Sequence, residues 1–289
     1  MKRLIAYTLT LALAMACNLD GMQTLRGKFT VPDEPLHSEE KEVSNDKDAD
    51  CIRLLHYNVG VFFKSGSSSI DMVVAMMKEL EIDAMALNEV DYNTKRTGKI
   101  DQLRTFATKM GNWNYKFAPA LDPFDGGKYG VGICAKPEFA LLHSYNITLP
   151  KAGGNEQRAL AVMEFDKFIF CTAHLDFDDT PNMAQLARIN EFLAATFPNP
   201  TKPMFLTGDF NATPDRAVIK EAKKTWTMIS ELGNTANAIS PSKCIDYIFM
   251  RPNGVDVEVV KTKICRKFNS GSVVTASDHL PVFVDIKLP

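Results

Sequence analysis

Eight polar residues stand where apolar runs stop. Asn58 follows Leu-Leu-His-Tyr, Glu89 follows Ala-Met-Ala-Leu-Asn, and His174 follows Phe-Cys-Thr-Ala. Asp209 and Asn211 close Met-Phe-Leu-Thr-Gly-Asp-Phe-Asn, Asp246 closes Cys-Ile-Asp, and Asp278-His279 precede Leu-Pro-Val-Phe-Val. One such ending is ordinary turn chemistry, and Asp209 with Asn211 alone reads equally well as a β-to-α turn. In extended backbone, however, residues two apart share a face, and strand ends in open α/β sheets are where ligands bind. Six endings drawn from Asn, Glu, Asp and His are hard to attribute to capping and solubility. Glu89, Asp209, Asp278, Asn58 and Asn211 are hard oxygen donors with no cysteine among them, a set that suits Mg2+, or Mn2+, better than Zn2+. Adding His174 and His279 suggests phosphoryl chemistry, in which the metal neutralises developing charge, an acid orients water, and histidines donate to phosphate oxygens.

The elements that must position these groups can be read from the hydrophobic pattern. Residues 52–59, 82–90, 128–135, 139–149, 158–165, 168–174 and 203–206 read as strands, as do 244–250, 255–264 and 280–286. Helical spacing runs through Val73, Val74, Met77 and Leu80, through Leu103, Phe106, Ala107 and Met110, and over residues 181–197. Another helix follows Pro214, and Gly208 is read as permitting a tight turn. The early strand–helix alternation indicates α/β crossovers. The whole order suits two mixed sheets packed face to face with helices outside.

Composition bounds the rest. The chain has 289 residues, 45% hydrophobic and 24% charged, with formal net charge -2. That is an ordinary globular composition, without the strongly basic face of a tight nonspecific nucleic-acid binder. Lys2-Arg3, an apolar stretch Leu4–Ala16 and then Cys17 have signal-peptide layout, too short to span a bilayer. The small residue before Cys17 resembles a bacterial lipobox, which implies removal of residues 1–16 and lipid on the Cys17 thiol. Residues 17–50, acidic and poor in apolar side chains, read as a flexible tether, with His37 solvated on it. The folded domain is expected over 51–289. Of the remaining cysteines none forms a CxxC pair. Cys134 and Cys171 read as core, and Cys244–Cys265 is the least strained disulfide that export would permit, although the odd count weighs against it.

In order, the chain holds Asn58, Asn-Glu89-Val-Asp, Tyr129-Gly-Val-Gly, Thr-Ala-His174-Leu, Thr-Gly-Asp209-Phe-Asn211, Ile-Asp246-Tyr-Ile and Ser-Asp278-His279-Leu-Pro. This resembles the endonuclease/exonuclease/phosphatase superfamily of metal-dependent phosphohydrolases over about residues 51–288. The resemblance implies a four-layer α/β sandwich. It also implies Glu89 as main metal ligand, aided by Asn58 and Asp278, and Asp209 as the residue that orients or deprotonates the attacking water. Asn211 would hold Asp209 and the phosphate, His279 would contact the phosphate with Asp246 fixing its tautomer, and His174 would be a second phosphate-facing histidine.

Plainer readings stand beside these. His56 shares a face with Asn58 but reads as a packed structural histidine, and His143 as an ordinary strand residue. Tyr129 and Arg158 could be substrate-side or structural. Lys95-Arg96 could clamp a phosphate, though a solvated loop is the simpler account. The leading function is an exported, lipid-anchored phosphodiesterase or nuclease of the bacterial cell envelope, monomeric, acting on nucleic acid, phospholipid or inositol phosphate. The alternatives are a phosphomonoesterase on inositol phosphates or phospholipid head groups, and a noncatalytic envelope binding protein. Loops 60–70, 91–99, 121–128, 150–157 and 233–243 would set specificity.

Overall fold

The computed structural model describes residues 44–288. The expected signal peptide 1–16, Cys17, His37 and residues 17–43 of the expected tether lie outside the described residues. The strands are β1 (Ile52–Asn58), β2 (Ala84–Tyr92), β3 (Asn114–Phe124), β4 (Gly127–Ala135), β5 (Leu141–Leu149) and β6 (Arg158–Phe165), then β7 (Ile169–His174), β8 (Met204–Asp209), β9 (Thr227–Met228), β10 (Asp246–Met250), β11 (Glu258–Ile264) and β12 (Val282–Lys287). The helices are α1 (Ile70–Glu79), α2 (Gln102–Gly111), α3 (Asp179–Thr196), α4 (Ala217–Thr225) and α5 (Val273–Ala276).

Two six-stranded mixed sheets result, ordered β11-β12-β1-β2-β4-β3 and β5-β6-β7-β8-β10-β9. Each holds one parallel pair, β1 with β2 and β7 with β8. Parallel neighbours need a crossover, commonly a helix, and α1 and α3 supply them. This is the expected α/β sandwich. Alternation along the second sheet separates its two faces. Met163, Phe170, Phe205 and Ile248 join the layer between the sheets, while Leu160, Val162, Cys171, Leu206 and Phe249 pack outward with Leu186 and Ile189 of α3 and Val218 and Ile219 of α4. At one end the inter-sheet layer is aromatic: Phe139, Phe165, Phe168, Phe170 and Phe205 touch edge to face or tilted. Each buried ring contributes roughly 1.5–3 kcal/mol, so this end holds the sheets together and leaves the other free to be polar.

β3 is the strand the hydrophobic pattern does not reveal. Asn-Tyr-Lys-Phe-Ala-Pro-Ala-Leu-Asp-Pro-Phe carries two prolines and is mostly half-exposed. It is the edge of its sheet, where a missing N–H breaks no ladder. Gly208 also differs from expectation. It lies inside β8, and a Cβ there would sit 1.9 Å from the Ala173 carbonyl oxygen. Its task is close approach of β7 and β8 rather than a turn.

The described cysteines, Cys51, Cys134, Cys171, Cys244 and Cys265, are all buried and unpaired, so Cys244–Cys265 is not a disulfide here. The described end of the expected tether, residues 44–50, is held to the domain: Arg53 donates to the carbonyls of Asn45 at 2.7 Å and Asp46 at 3.1 Å. No described helix is long and apolar enough to cross a membrane.

Candidate active site

The polar end of the inter-sheet layer lies at the carboxyl ends of the parallel strands. His174 pairs with Asp209 across β7–β8, and Asp246 pairs with Asp209 across β10–β8. Three titratable residues therefore stand in one row, all on the inward face set by Phe170, Phe205 and Ile248 two or four residues away. From the other sheet, β1 presents His56 and Asn58 to that row. The His56 Nε2 is 2.9 Å from Asp246 Oδ1, and Asn58 Nδ2 donates to Asp209 Oδ2 at 3.1 Å.

Asp209 is the centre. Its Oδ1 accepts from the Asn211 backbone N–H at 2.9 Å. Its Oδ2 faces Asn58 Nδ2 and the Nε2 atoms of His279 at 3.5 Å and His174 at 3.6 Å. Burial, then the Asp246 charge, push the Asp209 carboxyl up to about 7 against the opposing pull of His279. His279 Nδ1 donates to Asp246 Oδ2 at 2.8 Å, which leaves Nε2 turned to the site. Burial disfavours the charged ring, but Asp246 and Asp209 outweigh it and raise His279 to about 10. Asp246 is buried too, yet His279 and His56 hold it well below the usual carboxylate range.

His174 is different. Burial and the nearby Arg158 charge drive its pKa down, so it is neutral. Asn211 Nδ2 donates to its Nε2 at 2.9 Å and to the Leu175 carbonyl at 3.0 Å. Asn211 reaches both neighbours from a left-handed backbone, φ 49°, a conformation asparagine tolerates better than most residues.

Glu89 is aimed by a bulge. The β2–β4 pairing slips between Leu87 and Val90, and Glu89 has φ 56°. Such strain costs of order 1–3 kcal/mol and persists where surroundings enforce it. Its Oε1 accepts from Asn58 Nδ2 at 3.0 Å. Burial raises its pKa, with Asp278 adding to the rise and Asn58 and His279 opposing it. Among the described residues no cationic side chain forms a salt bridge with Glu89. A half-buried carboxylate that faces the Asp278 charge without a partner cation fits a hard divalent ion. Asn58 stands between Glu89 and Asp209 as a donor, while its Oδ1 accepts from Gly60 N–H at 3.1 Å. Asp278 is exposed and lies beside Gly60. Asp209, Asp246 and His279 also lie within 4.8 Å of one another. Since His279 Nδ1 and Asp246 Oδ2 satisfy each other, that trio reads as a hydrogen-bonded relay.

Arg158 is 2% exposed, its Nε has no hydrogen-bond partner, and its nearest carboxylate is Glu156 at 3.4 Å. Its charge acts on Glu89, His174 and Tyr129. A buried guanidinium so poorly matched is poised for an anion.

Several contributors escape sequence reasoning. Asn88, fully buried, clamps the sheets: Oδ1 accepts from Asp209 N at 2.8 Å and Nδ2 donates to Thr172 Oγ1 at 3.1 Å. Its one signal is being an amide beside Glu89. Thr235 Oγ1 donates to Asp246 Oδ2 at 2.6 Å, and Ser277 Oγ donates to the Asn58 carbonyl at 2.6 Å. His56, read as structural, is structural in a way that matters to the site, since it holds the far oxygen of Asp246. His143 bonds Glu164 on the exposed side of β5.

A model described as the Endonuclease/Exonuclease/phosphatase family matches residues 55–279. Among solved structures, the Bacteroides thetaiotaomicron mannosyl-6-phosphatase shares 18% identity at TM-score 0.67, covering 81% of this chain and 99% of that one. An endonuclease/exonuclease/phosphatase from Bacteroides vulgatus shares 17% at TM-score 0.68, covering 83% and 99%. The human Nocturnin catalytic domain with bound sulfate shares 19% at TM-score 0.64, covering 83% and 94%. No curated protein gives a significant sequence match. At these identities the structural likeness concerns the fold, a two-sheet α/β sandwich.

Proposed function

Because the chain belongs to the endonuclease/exonuclease/phosphatase family, we propose that it is a metal-dependent hydrolase of phosphate esters, a phosphodiesterase or nuclease that attacks phosphorus in line with activated water. The observation that carries this reading is the ring of nitrogen atoms around one Asp209 oxygen, from Asn58, His174 and His279, beside the unpaired carboxylate of Glu89. Asp209 orients the water and takes its proton. A base titrating near 7 suits work at neutral pH. Asn211 fixes Asp209 and His174 together. The His279 Nε2–H donates to a phosphate oxygen, and Asp246 keeps that ring protonated and oriented, itself braced by His56 and Thr235. His174 bounds the phosphate on the β7 side, and Arg158 offsets its charge. Glu89, with Asn58 and Asp278, would hold Mg2+ or Mn2+, which when bound would neutralise charge on the phosphate and leaving oxygen. The leaving group departs with no covalent enzyme intermediate.

The test is a substrate panel with Mg2+: plasmid DNA, abasic-site duplex, sphingomyelin, inositol polyphosphates, a bis-aryl phosphodiester and an aryl monoester. Asp209→Ala and His279→Ala run beside wild type. Cleavage lost in both variants supports the assignment. Equal cleavage by variants and wild type, or none by wild type, ends it.

A second reading, phosphomonoester hydrolysis, is favoured by the net charge of only -2 and by the mannosyl-6-phosphatase among the structural neighbours. A monoester-to-diester rate ratio above one selects it. We further propose an exported monomer anchored to the bacterial envelope by lipid on Cys17. Cys17→Ser should release it from membranes, and unchanged fractionation would remove the anchor.

A further inference from the structure

Beside Glu89 the rim holds a second guanidinium that the chemistry above leaves unused. Arg96 sits in the short turn Lys95–Thr97. Asp91, fully buried, grips it edge-on, with Nε to Oδ2 and Nη2 to Oδ1 both at 2.7 Å. Thr94 and Thr97 hydroxyls fill out the same Oδ2 at 2.6 and 3.3 Å. The turn is stitched to the tip of the β3–β4 hairpin: Lys95 N donates to the Asp125 carbonyl at 3.0 Å and Arg96 N to Asp125 Oδ2 at 2.7 Å. The guanidinium carbon lies 4.8 Å from the centre of the Phe124 ring and 5.3 Å from that of Tyr129. Arginine carries about 2 kcal/mol of rotamer entropy, and solubility alone gives no reason to fix it on a buried carboxylate and two rings.

What this fixation presents is Nη1, which makes no hydrogen bond among the described residues, on a side chain 41% exposed. The Tyr129 hydroxyl likewise makes none among the described residues. Tyr129 pairs with Asp91 across the ladder, two residues beyond Glu89. Burial and the Glu89 charge push its pKa up, so it stays protonated, while Arg158 and Arg96 both lie near enough to oppose that rise. The Arg96 guanidinium and the Tyr129 hydroxyl therefore offer donors whose acceptors are missing, the pattern that suits oxyanion oxygens.

We propose that Arg96, with Tyr129, forms a second oxyanion subsite on the Glu89 side of the site, receiving a second phosphate of the substrate next to the one hydrolysed. This rests on the phosphate-ester reading for the first phosphate and narrows it to substrates with two phosphate groups on one small scaffold or along one chain.

The experiment is calorimetric titration, with Mg2+, of the full chain carrying Asp209→Asn to suppress turnover. The probes are adenosine 3′,5′-bisphosphate, adenosine 5′-monophosphate and adenosine 3′-monophosphate. A charge-assisted contact predicts that the bisphosphate binds roughly tenfold to a hundredfold tighter than either monophosphate. Adding Arg96→Ala should bring that ratio to within about twofold, and Arg96→Lys, which keeps charge but not the fork, should fall between. Melting curves accompany each protein, and if the alanine variant is unfolded the lysine variant decides by the same ratio. Equal affinities in the parent, no detectable bisphosphate binding, or a preference that survives loss of Arg96 would overturn the subsite. Hydrolysis of the earlier panel by wild type is scored separately. A bisphosphate preference without hydrolysis would leave the subsite standing and remove the proposed reaction, and hydrolysis without the preference would do the reverse.

Discussion

β1 carries a buried ionic network at each end, and the two are built on opposite plans. At its start, Arg53 pairs with Asp285 directly across the β1–β12 ladder at 2.6 and 2.7 Å. Its remaining donors go to the carbonyls of Asn45, Asp46 and Leu80, and its plane stacks 4.0 Å from the Phe283 ring centre. Every group has a partner. At its end, Asn58 lies among Glu89, Asp209 and, through His56, Asp246, where negative groups outnumber the cations that could answer them. Glu89 and Asp209 are raised by burial and Asp246 is held down by histidines. A satisfied network stabilises the fold; an unsatisfied one holds a capacity to bind charge.

The contrast is most sharply broken by removing its centre. Asp209→Ala should lower phosphate-ester hydrolysis by about a thousandfold, while the melting temperature of the metal-free protein holds or rises, because a buried charge has gone. A parallel fall in both would make Asp209 structural. At the other end, Arg53→Met should cost about 3–5 kcal/mol by leaving Asp285 buried and unpaired, read as a lower denaturation midpoint with little change in kcat for the folded fraction.

A smaller effect follows from pH. Asp209 titrates at about 7 in the fold against an ordinary 3.8, so the folded state binds an extra proton in between and stability declines as pH climbs from 4 through 7. His279, raised from 6.5 to about 10, contributes fully below 6.5 and progressively less up to 10. Asp246, held low, contributes above its ordinary 3.8 and loses that contribution as pH falls below it. Metal-free protein should thus melt highest in mildly acidic buffer. Added Mg2+ should raise the melting temperature more at pH 8 than at pH 5, since binding competes with the proton on Glu89, whose pKa burial raises. Equal shifts at both values would place the ion elsewhere. The smallest effect is Glu89→Gly, which should relieve the left-handed backbone and raise metal-free stability by about 1 kcal/mol while abolishing activity. A net loss of stability would show that the bulge is not strained.

Much of this is legible in the chain. The apolar runs and their Asn, Glu, His and Asp endings mark which residues occupy the sheet rim, because burial and alternation are written in side-chain type. β3 is hidden because its edge position permits Pro119 and Pro123. The helpers are hidden for another reason. Asn88, Thr235 and Ser277 act through contacts between segments far apart in sequence, and nothing local distinguishes them from ordinary polar residues. Arg96 is intermediate: its place next to an acidic strand end is visible, but its grip on Asp91 and its stacking on Phe124 require the hairpin that the pattern conceals.

The position of β12 has a consequence for how the chain matures. β1 is the first strand among the described residues, yet one of its two neighbours is β12, and the loop before β12 supplies Asp278 and His279. During synthesis the first sheet must wait with an open edge until nearly all the described chain has emerged. Pairing at such separation is slow and exposes unsatisfied backbone meanwhile. The hydrolytic site, finished by the same late segment, is correspondingly the last thing to form, so ribosome-bound chains short of residue 282 should show neither the closed sheet nor the activity.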